Sequence, residues 1–194
     1  MECDSWEAEV NEPSPAWQVH GERSIYENRW VRLSRVDVEP PGVERFEHHV
    51  VRLNSAAIAA VVDGRDRVLM LRQYRFVPGK WAWELPGGLL DPGEDPAATA
   101  AREVEEETGW RPHALRRVLT YQPIVGMVDS PHVLFVGRGA DLVGEPEGGE
   151  EAGEVTWIPL ADVRDLITKG EIISSGTLLT LLHILAFGID PEES

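Results

Sequence analysis

Residues 87–110 read GGLLDPGEDPAATAAREVEEETGW. The end of this stretch sets Glu103, Glu106 and Glu107 at helical offsets of three and four, which brings three carboxylates to one face. Glu105 adds a fourth glutamate within five residues. Like charges at that spacing repel by a few tenths of a kcal/mol per pair, roughly, on a plain helix. A divalent cation turns that repulsion into coordination, and hard cations such as Mg²⁺ take oxygen ligands. The helix has its own punctuation. Asp95 is a good N-cap, Pro96 suits the first turn and Gly109 suits the C-terminal cap. Ala97, Ala98, Ala100 and Ala101 favour helix and allow close packing on a sheet.

The stretch resembles the Nudix box, whose pattern is G-x5-E-x7-R-E-U-x-E-E-x-G-U with U a bulky apolar residue. Gly88, Glu94, Arg102, Glu103, Val104, Glu106, Glu107, Gly109 and Trp110 fill the fixed positions, with Trp an unusual final U. The resemblance implies a metal-dependent hydrolase. It makes Glu106 and Glu107 catalytic metal ligands and Glu103 a further ligand for one to three Mg²⁺ or Mn²⁺ ions. The carbonyl of Gly87 joins the ligand set, since glycine lets a cation approach the backbone. Glu94 and Arg102, with Gly88 and Gly109, are then structural, the arginine pairing with box carboxylates so as to orient them.

Outward from the box, Ala56–Val62 reads as a buried strand, Asp63-Gly64 as a turn and Val68–Arg72 as the next strand. Trp81–Leu85 is short and extended and stops at Pro86. Further strands are expected at Leu115–Tyr121, His132–Arg138 and Val155–Ile158, and helices at Leu160–Thr168 and Ser175–Phe187. Gly139–Gly153 is an acidic, glycine-rich loop. Towards the N-terminus, Val31, Leu33, Val36 and Val38 alternate as a strand. Glu39-Pro40-Pro41-Gly42 turns, and Val43–Leu53 returns as its partner. This order gives a mixed α/β (α+β) class without regular alternation. The resemblance supplies the Nudix fold, a mixed sheet between helices. The expected organisation is a loose arm over 1–16, an N-terminal antiparallel β appendage over 17–53 used for dimerisation, and a hydrolase domain over 54–194.

RQYR at 72–75, WELPGG at 83–88, YQPIVGMVDSP at 121–131 and EVTWIPL at 154–160 also resemble the ADP-ribose pyrophosphatase branch in their order. That likeness implies cleavage of a nucleoside diphosphate derivative, with ADP-ribose giving AMP and ribose 5-phosphate. Other nucleotide sugars, dinucleotides such as NADH and oxidised nucleotides are the alternative substrates. It also implies a homodimer whose N-terminal strands reach the partner's site. In that branch a glutamate on the late acidic loop orients the attacking water. Glu150, Glu151 and Glu154 are candidates here, Glu151 first. Arg75, closing a strand before the box, is the candidate phosphate contact, with Arg52 as another candidate substrate contact. Trp30, with Trp17 and Tyr26, is an aromatic suited either to stacking on adenine or to packing. A sensor domain without turnover would not need the intact glutamates.

A net charge of −16 disfavours a nucleic-acid partner. No apolar run is long enough for a membrane span. The single cysteine, Cys3, rules out an intramolecular disulfide and suits a reducing cytoplasm. His113, His132 and His183 have no metal-ligand spacing and read as structural.

Overall fold

The computed structural model describes residues 16–147 and 153–189. Thirteen strands and three helices are assigned among them. They are β1 (Gln18–Glu27), β2 (Val31–Glu39), β3 (Phe46–Leu53), β4 (Ala56–Val62), β5 (Arg67–Arg75), β6 (Lys80–Glu84), β7 (Gly87–Leu89), α1 (Pro96–Thr108), β8 (Trp110–Pro112), β9 (Arg116–Tyr121), β10 (Val128–Asp129), β11 (His132–Arg138), β12 (Ala140–Leu142), β13 (Glu154–Pro159), α2 (Leu160–Thr168) and α3 (Ser175–Phe187). The chain divides into two compact units between Arg52 and Leu53.

In the first unit β1, β2 and β3 are neighbours in that order, and β1 runs antiparallel to β2. Ion pairs stitch the strands together: Glu47 takes Arg23 and Arg35, and Arg52 takes Glu22. The long β1 is the departure from the sequence reading, which placed only the two strands after it. Its side chains are exposed throughout, Val19, Ile25 and Tyr26 included, so no buried alternation marked it.

The second unit is built on a sheet of order β13-β5-β4-β11-β9, with β6 paired to β5 and β7 to β4. β4 and β11 are parallel, whereas β13–β5, β5–β6, β4–β7 and β11–β9 are antiparallel, so the sheet is mixed. β4 reads AAIAAVV because both its faces are covered. Ala57, Ala59 and Val61 join Ala100 and Val104 of α1 in one core layer. On the other face Ala60 and Val62 join Val163 of α2 with Leu181 and Ile184 of α3. The small alanines of β4 and α1 draw that helix close to the sheet, and its glutamate face is thereby set beside β7.

The caps of α1 hold as the sequence suggests. The Asp95 side chain accepts from Ala97 N–H and Ala98 N–H, and Gly109 closes the helix at φ 74°. A side chain at Gly109 would also collide with the Gly144 carbonyl. The expected loop from Gly139 instead begins with β12, which pairs antiparallel with β8. Three-residue strands are too short to leave a periodic signal.

Candidate active site

The box packs its carboxylates against two glycines. Gly88 lies so close to Glu103 that a Cβ there would fall on the carboxylate, and one at Gly87 would meet the backbone of Ala57 and Ile58. The N–H of Gly87 donates to Glu107 Oε2 at 2.9 Å. Burial pushes the Glu107 carboxyl up to about 7, and Glu103 and Glu84 push the same way. The Gly87 N–H and Arg75 oppose them without prevailing. Glu103 is also raised, first by burial, against the pull of Arg102.

Arg102 is the cation of this cluster. Its Nη1 donates to Glu103 and to Glu106, each at 2.8 Å, and its other nitrogens bracket Glu94 at 3.1 and 3.2 Å. Those hydrogen bonds hold the Glu94 carboxyl down at about 2. Glu94 Oε2 also accepts from Asp91 N–H, so the arginine ties the loop before α1 to the helix face. Arg102 thus joins Glu94, Glu103 and Glu106 in one set of ion pairs.

Among the described residues no three His, Asp, Glu or Cys side chains are gathered as a ready metal cage. Arg102 draws Glu103 and Glu106, while Glu107 turns to the Gly87 N–H. The donors nevertheless suit a hard divalent cation. They are carboxylate oxygens only, and the buried Glu107 gains most from exchanging a proton for a metal ion. Glu103, Glu106 and Glu107 are the residues that would hold such an ion, which when bound would neutralise phosphate charge and acidify water.

Arg75, the candidate phosphate contact, is paired with Glu84: its Nε donates at 3.0 and 3.1 Å and its Nη2 at 2.5 Å. Glu84 was overlooked in the sequence, yet it is buried and acts on Glu107 through charge. A charged residue at an inward position of the alternating KWAWE strand was its available signal. Arg52 is likewise engaged, bonding Glu22 at 2.9 and 2.7 Å and holding that carboxyl at about 2. Trp30 is exposed, and the Arg29 guanidinium lies 4.1 Å from its ring centre. Glu150 and Glu151 lie outside the described residues, while Glu154 opens β13 and is exposed.

A pocket of about 280 Å³ adjoins the carboxylates. It shares Gly87 and Gly88 with them and is walled by Arg75, His132, Ser174 and Thr177.

The box, its arginine brace and the mixed sheet between helices together describe a Nudix fold, and the Nudix domain model matches residues 51–178. The chain belongs to the Nudix family and is a hydrolase of that family. It is 52% identical over 172 residues to the CMP-5'-(N-acetyl-N-hydroxy-3-aminopropyl)phosphonate hydrolase of Streptomyces rubellomurinus, covering 89% of this chain and 84% of that one. It is 32% identical over 157 residues to the ADP-ribose pyrophosphatase of Mycobacterium tuberculosis, covering 79% and 76%. A crystal structure of an ADP compounds hydrolase superposes with a TM-score of 0.78 at 18% identity, over 91% of this chain and 96% of that one, which speaks for the fold. Among the described residues no helix is long and apolar enough to cross a membrane.

Proposed function

We propose that the protein hydrolyses the P–O–P anhydride of a nucleoside 5′-monophosphate joined to a second phosphorus group, with ADP-ribose as the first substrate and AMP and ribose 5-phosphate as products. The observation that carries this reading is the buried Glu107 on the Gly87 N–H, beside Glu103 and Glu106. Together they form an oxygen-only cluster with too little positive charge, which fits Mg²⁺ or Mn²⁺ carrying a diphosphate. The likeness to an ADP-ribose pyrophosphatase across 79% of the chain supports the substrate class.

A second reading keeps the bond chemistry and changes the two groups: a cytidine 5′-monophosphate joined to a small phosphonate. The 52% identity to the hydrolase of that description favours it. In both readings the enzyme works in the cytoplasm as a homodimer. The dimer is supported by Trp17, Val19, Ile25, Tyr26 and Trp30, large apolar side chains exposed along and beside β1. The deciding experiment offers ADP-ribose, NADH, GDP-mannose and the CMP-linked phosphonate with Mg²⁺, and identifies products by mass. Release of a nucleoside 5′-monophosphate from ADP-ribose or from the phosphonate is expected. Failure to cleave any anhydride with Mg²⁺ or Mn²⁺ refutes the proposal.

A further inference from the structure

Glu84 is a buried acid that the box does not account for. Strand pairing sets its place. On β5, Leu71 and Arg75 lie four residues apart and share a face, with about 13 Å of strand between them. Leu71 stands opposite Glu84, and Arg75 stands opposite Lys80. Like charges opposed across a ladder repel. The Arg75 side chain runs back along the strand, away from Lys80, and lays its Nε–Nη2 edge on both oxygens of Glu84.

β6 is itself pinned on either side of this acid. Trp83 N–H donates to the Glu171 carbonyl at 2.8 Å, and Leu85 N–H donates to Thr177 Oγ1 at 3.0 Å. Thr177 is buried near the start of α3. The carboxylate thus springs from a fixed backbone, and the arginine has a fixed seat.

That seat spends two of the five N–H groups of the guanidinium. Nη1 has no hydrogen-bond partner among the described residues. The Arg75 side chain is half exposed and lines the pocket that Gly87 and Gly88 share with the box carboxylates. The Glu84 side chain is only 10% exposed and has both oxygens on the arginine, so it has nothing left with which to grip a ligand. An unsupported arginine has many rotamers to give up when it meets an oxyanion. One clamped along an edge has fewer to lose.

We propose that Glu84 is a positioning residue for the hydrolysis: it clamps one edge of Arg75 and so keeps the remaining N–H groups in place for phosphate oxygens of the substrate's diphosphate. The proposal rests on the anhydride hydrolysis above. It carries a sign that charge alone does not. Removing a carboxylate beside a phosphate site relieves repulsion and tightens anion binding, whereas removing a clamp weakens it.

The test uses the full chain with Mg²⁺. Binding of inorganic diphosphate is measured by calorimetry, and turnover is measured on ADP-ribose. Glu84→Gln keeps the outline and one accepting oxygen and drops the charge. It is expected to raise Kd for diphosphate and KM for ADP-ribose about tenfold each, the scale of one weakened charge-assisted hydrogen bond, with kcat within about threefold. Arg75→Ala should lose at least as much. The Glu84→Gln, Arg75→Ala double variant should lose no more than Arg75→Ala alone, because Glu84 acts through the arginine. Melting curves accompany each variant. Glu84→Asp, which keeps the charge and stops one carbon short, stands in with the same expected loss if the glutamine variant does not fold. Failure of both to fold makes the pair structural and overturns the proposal. So does a wild type that binds no diphosphate, unchanged or tighter diphosphate binding in Glu84→Gln, or a double variant whose loss is the product of the two single losses. A wild type that binds diphosphate and cleaves no anhydride refutes the hydrolysis, and the same cycle of diphosphate affinities still decides the clamp.

Discussion

Replacing Glu107 by glutamine is expected to stabilise the metal-free protein, and only at higher pH. The carboxyl moves from an ordinary 4.5 to about 7 in the folded chain, chiefly through burial. Between those values the folded state holds a proton that the unfolded state has released. Unfolding therefore becomes easier as pH rises through this window. The penalty is absent below about pH 4.5 and complete above about pH 7. At 1.36 kcal/mol per pKa unit it amounts to about 3 kcal/mol at most. A glutamine keeps an oxygen for the Gly87 N–H and never carries the charge. For a chain of this size the gain corresponds to a melting temperature higher by roughly 6–12 °C at pH 8, shrinking to almost nothing near pH 4.5. The shifted acids elsewhere, such as Glu22 and Glu94, cancel in the comparison because both proteins keep them. Melting curves in EDTA at several pH values, repeated with Mg²⁺, provide the assay. Mg²⁺ should raise the wild-type midpoint at pH 8 and leave the variant nearly unmoved. A variant that is less stable at pH 8, or equally more stable at every pH, would refute the assignment of Glu107 as a buried, uncompensated carboxyl.

Glu106→Gln is expected to lower kcat by about 10²-fold or more with the fold retained, checked by steady-state kinetics beside a melting curve; near-normal turnover at low Mg²⁺ counts against its metal role. Gly88→Ala should push Glu103 aside and cost about 10²-fold in kcat/KM, a displacement penalty that leaves far-UV circular dichroism unchanged. Glu151→Gln should reduce kcat more than it raises KM, with Glu150→Gln milder; if both keep full kcat, Glu154 is the next residue to replace. Light scattering at micromolar concentration should give the mass of a dimer, and an active monomer would contradict the role given to the N-terminal strands.

Much of the site is local, and local spacing is what a sequence displays. Asp95, Pro96 and Gly109 fix both ends of α1, so the register of Glu103, Glu106 and Glu107 on its face is legible in the sequence. The brace between Arg102 and Glu94 spans one loop and one helical turn. The unbroken apolar run of β4 announced a strand covered on both sides. The partners of Arg75 and Arg52 were not readable, because Glu84 and Glu22 meet them only once strands are paired. The partners of His132 were hidden for the same reason: Tyr121 and Ser175, joined to it by a chain of hydrogen bonds, come from β9 and α3, and nothing in their spacing links them to β11.

The charge arrangement in the box explains why its two ends behave differently. Arg102 supplies one positive charge to Glu94, Glu103 and Glu106, and it holds each of them by a hydrogen bond. Glu107 receives none of that. Its hydrogen-bond partner is a neutral peptide N–H, and Arg75, whose charge lowers it, is already paired with Glu84. The deficit of positive charge thus falls on the side of α1 that faces Gly87 and the pocket. The outer carboxylates each have Arg102 as a partner, while the inner one, pushed up to about 7, retains a proton around neutral pH. A hard cation entering from the pocket would displace that proton, and a diphosphate carried by the cation would meet Gly87 and Gly88, where no side chain stands in the way. The glycines and the single arginine are in this sense one device. They leave the charge uncompensated at Glu107, beside Gly87 and the pocket that Gly87 and Gly88 help to line.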